Sequence, residues 1–174
     1  HAPRSPLQAS TTGAVLPLGE PVRELAVSRD GRLVGAVGSG GLLRIWDLGS
    51  GRVRVERDVG EDGGLSFTSG GVVVHGRAGP PTAITSGGRA RCTFGSRPVA
   101  DAAVAGPRVV LSTGEIFDLA TSRRRSVVTG LLRGTSMVSS SRDGSRVGFV
   151  ARDRAAIAAL PSARVVARIR HPTR

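Results

Sequence analysis

The chain has 174 residues, 39% of them hydrophobic, with 25 glycines, 10 prolines and one cysteine. That is enough for one domain with a core or about four short repeats, and too short for two ordinary domains. The lone Cys92 excludes an intrachain disulfide and a multi-thiolate metal site, no uncharged apolar run approaches the roughly 18 residues of a membrane span, and no basic stretch followed by an apolar segment reads as a secretory signal, so a cytoplasmic setting is expected.

Taken in chain order, residues 11–19 read as a turn and a strand that finish a preceding unit. Four units of strand, turn, strand, turn follow. The first has strands at 22–27, 33–37, 42–47 and 52–56, with Asp30-Gly31 between the first two; Asp-Gly between apolar runs is a strong hairpin signal. The second is degenerate, with strands at 64–67, 72–75, 82–85 and 90–94, and Gly79-Pro80-Pro81 fits only a loop. The third runs 99–104, 108–111, 115–118 and 124–128, and the fourth 136–140, 146–150, 155–160 and 164–169. No apolar period of 3.6 residues is long enough for a helix. The domain reading is a single segment: 1–19 as the end of a preceding blade, 20–57 a blade, 58–95 a degenerate blade, 96–130 a blade, and 131–174 a blade and tail.

Two internal echoes support the period. Ser28-Arg29-Asp30-Gly31 returns 113 residues later as Ser141-Arg142-Asp143-Gly144, three periods of about 38. Ile45-Trp46-Asp47-Leu48-Gly49-Ser50-Gly51-Arg52 returns 71 residues later as Ile116-Phe117-Asp118-Leu119-Ala120-Thr121-Ser122-Arg123, two periods of about 36. A unit this small buries its sheet faces only by stacking on neighbours.

These residues resemble the WD-repeat family. Residues 21–33 are similar to the first half of a WD blade, and Leu42-Leu43-Arg44-Ile45-Trp46-Asp47 to its third strand with the Trp-Asp pair. The resemblance is strongest over 21–56 and implies an all-β propeller of about four four-stranded blades. Rings of this family commonly hold more blades, which implies part of a larger propeller; a closed four-blade ring is the alternative. The family's Gly-His pair reads here as Gly19-Glu20, and the acidic residue of its second turn is replaced by Ser39 and Gly40, so its buried hydrogen-bond network is expected to be absent or incomplete. Trp46 is expected to be a packing residue.

The net charge of +12 invites a nucleic-acid partner. All 25 basic residues are arginine, there is no lysine and no asparagine, and this is how GC-rich coding biases composition. The arginines are spread over the chain, and Trp46, Phe67, Phe94, Phe117 and Phe149 sit in strand-like apolar runs where burial is expected, leaving no stacking platform.

No catalytic set emerges. Without lysine there is no phosphate loop of the Lys-Ser/Thr type, no Gly-x-Ser-x-Gly elbow occurs, and His1, His75 and His171 form no helical zinc pair. His75 reads as a structural histidine and Cys92 as a small buried hydrophobe. Glu61-Asp62 reads as a solvated pair, and Asp30, Asp47, Asp118 and Asp143 as turn caps rather than calcium ligands. No enzyme activity, metal or cofactor is expected.

The family resemblance implies a non-catalytic protein-interaction platform, a C-terminal sensor or scaffold segment of a larger bacterial protein; a chain starting at His1 with its only methionine at Met137 reads as processed, excised or partial. A basic module for nucleic acid or another polyanion is the alternative, and self-association is expected of exposed end blades. In the family's strand order, one end of the ring gathers Arg77, Arg97, Arg133, Arg152 and Arg154, a basic rim suited to acidic side chains. The opposite end holds Arg29, Arg32, Arg52, Arg123 and Arg142, an equal count, so charge alone does not choose between the ends.

Overall fold

The structure is a computed structural model that describes residues 16–131 and 133–170. Sixteen strands form four antiparallel sheets, and no helix occurs among the described residues. The first sheet is β1 (Val22–Val27), β2 (Leu33–Gly38), β3 (Leu42–Asp47) and β4 (Val53–Asp58); the second is β5 (Gly64–Thr68), β6 (Gly71–His75), β7 (Thr82–Thr85) and β8 (Ala90–Thr93). The third is β9 (Ala102–Ala105), β10 (Arg108–Leu111), β11 (Glu115–Asp118) and β12 (Arg124–Val127), and the fourth β13 (Met137–Ser140), β14 (Arg146–Ala151), β15 (Arg154–Ala159) and β16 (Arg164–Arg170). Each sheet keeps its strands in chain order. This is a propeller-like fold of four blades.

The short strands follow from β-rich runs cut by turn chemistry. In the first turn Ser28 Oγ donates to Asp30 Oδ1 at 2.7 Å and accepts from Leu33 N at 2.8 Å. Ser141 repeats this with Asp143 at 2.6 Å and Arg146 N at 2.9 Å. Gly31 and Gly144 both stand at φ 71°, the left-handed geometry such a turn needs. The second echo is also structural. Asp47 accepts from Ser50 N at 2.9 Å and Asp118 from Thr121 N at 2.9 Å, and each takes an arginine seven residues on, Arg54 at 2.6 Å and Arg125 at 2.9 Å. The aspartates therefore cap turns, as their placement in the sequence suggests.

One irregularity recurs in all four blades, including the degenerate second. The pairing of third with fourth strand slips at Ile45/Trp46, Ala83/Ile84, Ile116/Phe117 and Ile157/Ala158. A bulge at this place bends and twists the outer strand in each blade.

Stacking buries the core in layers. Val37, Leu43, Ile45 and Val55 of the first blade meet Leu65, Val72, Val74 and Ile84 of the second. Val73, Ala83 and Phe94 meet Val109, Leu111 and Phe117, with the Phe94 and Phe117 rings edge to face at 6.0 Å. Ala103, Val110 and Ile116 meet Val138, Val147, Phe149 and Ala158. The inner strands pack in succession, β1 on β5, β5 on β9, β9 on β13, and no packing of that extent joins β13 back to β1.

Most strand ends fall within two residues of the sequence reading, and two places differ by more. The first strand of the third blade begins at Ala102 rather than at 99, because the Asp101 carboxylate caps Ala102 N at 2.7 Å and Val99 anchors the approach as a buried side chain outside the sheet. Of the strand expected within 11–19, residues 11–15 lie outside the described residues, and 16–19 form no strand. Leu16 and Leu18 nevertheless pack with Val34, Ala36 and Trp46 on the outer face of the first blade, and Arg44 Nη1 donates to the carbonyls of Pro17 and Leu18 at 2.7 and 3.0 Å.

Candidate functional site

The stack has two ends. One carries the tight turns after the first and third strand of each blade. The other carries the turns after the second strand and the connections between blades; we call it the linker end. The five arginines singled out from sequence all lie there: Arg77 between β6 and β7, Arg97 and Arg133 in inter-blade connections, Arg152 in the β14–β15 turn, and Arg154 as the first residue of β15.

Three of the five come together. Arg133, Arg152 and Arg154, with Arg168 of β16, line an open depression of about 580 Å³. Asp153 is the one acidic residue in its wall and lies 3.5 Å from Arg154 Nε. Arg168 Nη2 donates to Gly130 O at 2.7 Å. Arg133 and Arg152 make no ion pair or hydrogen bond among the described residues. The other two stand apart. Arg77 is held 3.1 Å from Asp62, which also binds Arg23 and is held below the usual carboxylate range chiefly by that Arg23 hydrogen bond. Arg97 does not line the depression.

The linker end also holds a line of carboxylates that tie the blades together. Glu20 accepts from Gly40 N at 2.8 Å and Leu42 N at 2.9 Å, inside the first blade's second turn. A Cβ at Gly38 or Gly40 would occupy the space its carboxylate fills. The expected network is thus replaced: the side chain at the Gly-His position supplies the acid, and the glycines of the turn make room for it. Trp46 is 2% exposed and packs with Val34 and Ala36, as expected of a core residue. Glu24 accepts from Leu65 N at 3.0 Å, first blade to second, and Asp101 accepts from Val138 N at 2.7 Å, third to fourth.

His75 lies between these last two. Its side chain is 3% exposed, with Nε2 3.1 Å from Asp101 Oδ1, yet neither ring nitrogen completes a hydrogen bond. Gly64, paired with His75 across the sheet, lacks the Cβ that would fill the gap through which Glu24 and the imidazole approach one another. Burial pushes the imidazole below its ordinary value of 6.5, against the pull of Asp101 and Glu24. The unfolded chain therefore binds a proton that the folded chain refuses. Stability should be fully present above about pH 6.5 and fall as pH drops through that value, with a slope of at most about 1.4 kcal/mol per pH unit. His75→Gln should remove the slope between about pH 5 and 6.5, because the capping aspartates Asp47 and Asp143, held near pH 2, titrate below that window. Urea melts across that range check it; a slope that persists in the variant refutes the assignment.

Sequence reasoning did not find the Glu20, Glu24 and Asp101 clips. Glu20 and Asp101 are single acids just before an inner strand and Glu24 lies within β1, and the only local signal was the glycine cluster 38–41.

Among the described residues no group of three His, Cys, Asp or Glu side chains is placed to hold a metal, and no helix is long and apolar enough to cross a membrane. The fold defines a propeller-like protein. No family model and no curated protein matches the sequence. Solved structures do match it in shape. The computationally designed Ika4 protein superimposes with a TM-score of 0.65 at 18% identity, over 81% of this chain and 92% of Ika4. A chain of the mitotic checkpoint complex superimposes with a TM-score of 0.71 at 15% identity, over 88% of this chain. The present chain spans 52% of that chain's length. These likenesses show the fold.

Proposed function

We propose that this chain is a non-catalytic protein-interaction platform of the WD-repeat type, an arc of a larger propeller that engages acidic partners through its linker end. The observation that carries the reading is the gathering of Arg133, Arg152 and Arg154 around one open depression. A guanidinium binds a carboxylate with two parallel hydrogen bonds, and exposed turns on a rigid sheet hold such groups at fixed spacing. The arc is supported by the inner strands, which pack in succession with no contact of that extent from β13 to β1 among the described residues, and by a superposition on about half of a longer chain. A sensor or scaffold segment of a bacterial protein is the setting that the composition and the resemblance favour.

Reversal of Arg133, Arg152 and Arg154 to Glu should remove acidic proteins captured from a nuclease-treated lysate and leave the far-ultraviolet β spectrum unchanged. An unchanged set of captured proteins overturns the reading. Capture that vanishes with nuclease treatment alone transfers it to a polyanion.

A further inference from the structure

The tight-turn end has a larger concavity, of about 780 Å³, walled by the inner strands of all four blades. Three arginines line it: Arg29 in the first β-turn, Arg91 on β8 and Arg142 in the equivalent turn of the fourth blade. None of the three makes an ion pair or hydrogen bond among the described residues. The one carboxylate in the wall, Asp118, is already committed. It accepts from Arg125 at 2.9 Å, from Ala120 N at 3.1 Å and from Thr121 N at 2.9 Å, and these bonds, Arg125 first, hold it far below the ordinary carboxylate range. Asp30 and Asp143, beside Arg29 and Arg142 in sequence, face back into their own turns, onto Ser28 and Arg32 N and onto Ser141 and Ser145. The cavity thus holds three guanidinium groups with no anion assigned to them.

The rest of the wall narrows the ligand. Val27, Phe67 and Leu119 make part of it apolar, and Ser69 and Ser139 add hydroxyl groups. β1, β5, β9 and β13 each pair on one side only, so four strand edges contribute to the wall, with Leu65 N and Val138 N already taken by Glu24 and Asp101. A free edge offers main-chain donors and acceptors to an extended chain. A bare phosphate would use the arginines and leave the apolar wall and the edges idle, and a nucleic-acid backbone brings no aliphatic side chain to it.

We infer that this cavity binds an extended acidic peptide, its carboxylates or phosphoserines on Arg29, Arg91 and Arg142 and its aliphatic side chains on Val27 and Phe67. This site is separate from the linker-end rim, and the two are tested by different variants.

The test is fluorescence anisotropy on the intact chain with a short labelled peptide alternating Glu and Leu. A phosphoserine-Leu counterpart is run in parallel, with inorganic phosphate and a short DNA duplex as competitors. At least one peptide should bind. Arg29→Gln, Arg91→Gln and Arg142→Gln together should weaken binding about tenfold or more, while Arg52→Ala, Arg89→Ala and Arg164→Ala together, at exposed arginines outside both the cavity and the rim, should leave it unchanged. Tighter binding of one peptide identifies which anion the site takes. The inference is overturned by absence of binding, by equal loss in both variant sets, or by displacement by phosphate or duplex at peptide-like concentrations. All three glutamine substitutions are at exposed positions outside the packed layers, and an unchanged β spectrum in the variant ties a loss of binding to the site.

Discussion

Phe149→Ala should cost about 3–5 kcal/mol and lower the melting temperature by on the order of 10 °C. Phe149 is fully buried on β14, in the cross-strand row Val138, Phe149, Ala156 that faces the third blade. Its partners there are largely small, Ala103, Ala105 and Ala158 among them, with Val110 and Ile116 behind. The aromatic ring fills a space that alanine side chains leave, and they cannot close it by changing rotamer. Met137→Ala, on the opposite face of the same sheet and 61% exposed, should stay within about 0.5 kcal/mol.

The loss should also be local. Each blade buries its face only on its neighbours, so stability is a chain of nearest-neighbour terms. Hydrogen exchange should show β13–β16 losing protection in Phe149→Ala while β1–β4 keep theirs. Uniform loss across all four blades would show that the layers are not separable.

The strand plan was legible because strands and turns here are local events. Asp30-Gly31 and Asp143-Gly144 are hairpin signals on their own, and the echoes around Asp47 and Asp118 fix the period. Even the degenerate second blade keeps its four strands, since Val72, Val73 and Val74 fill both faces of a central strand whatever its turns do. What the sequence hid is what depends on contact between blades. Asp101 caps its own strand and the next blade at once, shortening β9 at its start, and no local pattern marks it. The arginines were visible as a count at each end. Which of them gather depends on backbone curvature that no residue pattern records: Arg77 is drawn off by Asp62, Arg168 joins from the outermost strand, and Arg91 reaches the opposite cavity from a strand, where a survey of loops does not look.

The isolated chain should self-associate head to tail. The fourth blade turns away from its neighbour a row running Met137, Val150, Ala155 and Ile169 across the sheet, with Met137 61%, Val150 39% and Ile169 56% exposed. On the first blade the row Val27, Val34, Trp46 and Val53 is covered at its centre, while Val27 and Val53 at its ends stay 55% and 47% exposed; Leu25 beside it is 63% exposed. Every other blade face in the chain is buried on a partner of the same kind. A contact between unlike faces is heterologous, so it closes into a ring or runs on as an open chain. Leu25→Glu and Ile169→Glu should each abolish the closed or extended species on its own, because every such contact needs one face from each copy. Mixing the two variants should restore one contact and stop there, since Leu25→Glu keeps only the fourth-blade face and Ile169→Glu only the first-blade face. Sedimentation velocity should then show a dimer in the mixture, monomers in each variant alone, and a dimer or larger species in the parent chain. A monomeric parent at high concentration, or a mixture that stays monomeric, would mean that these faces do not meet one another.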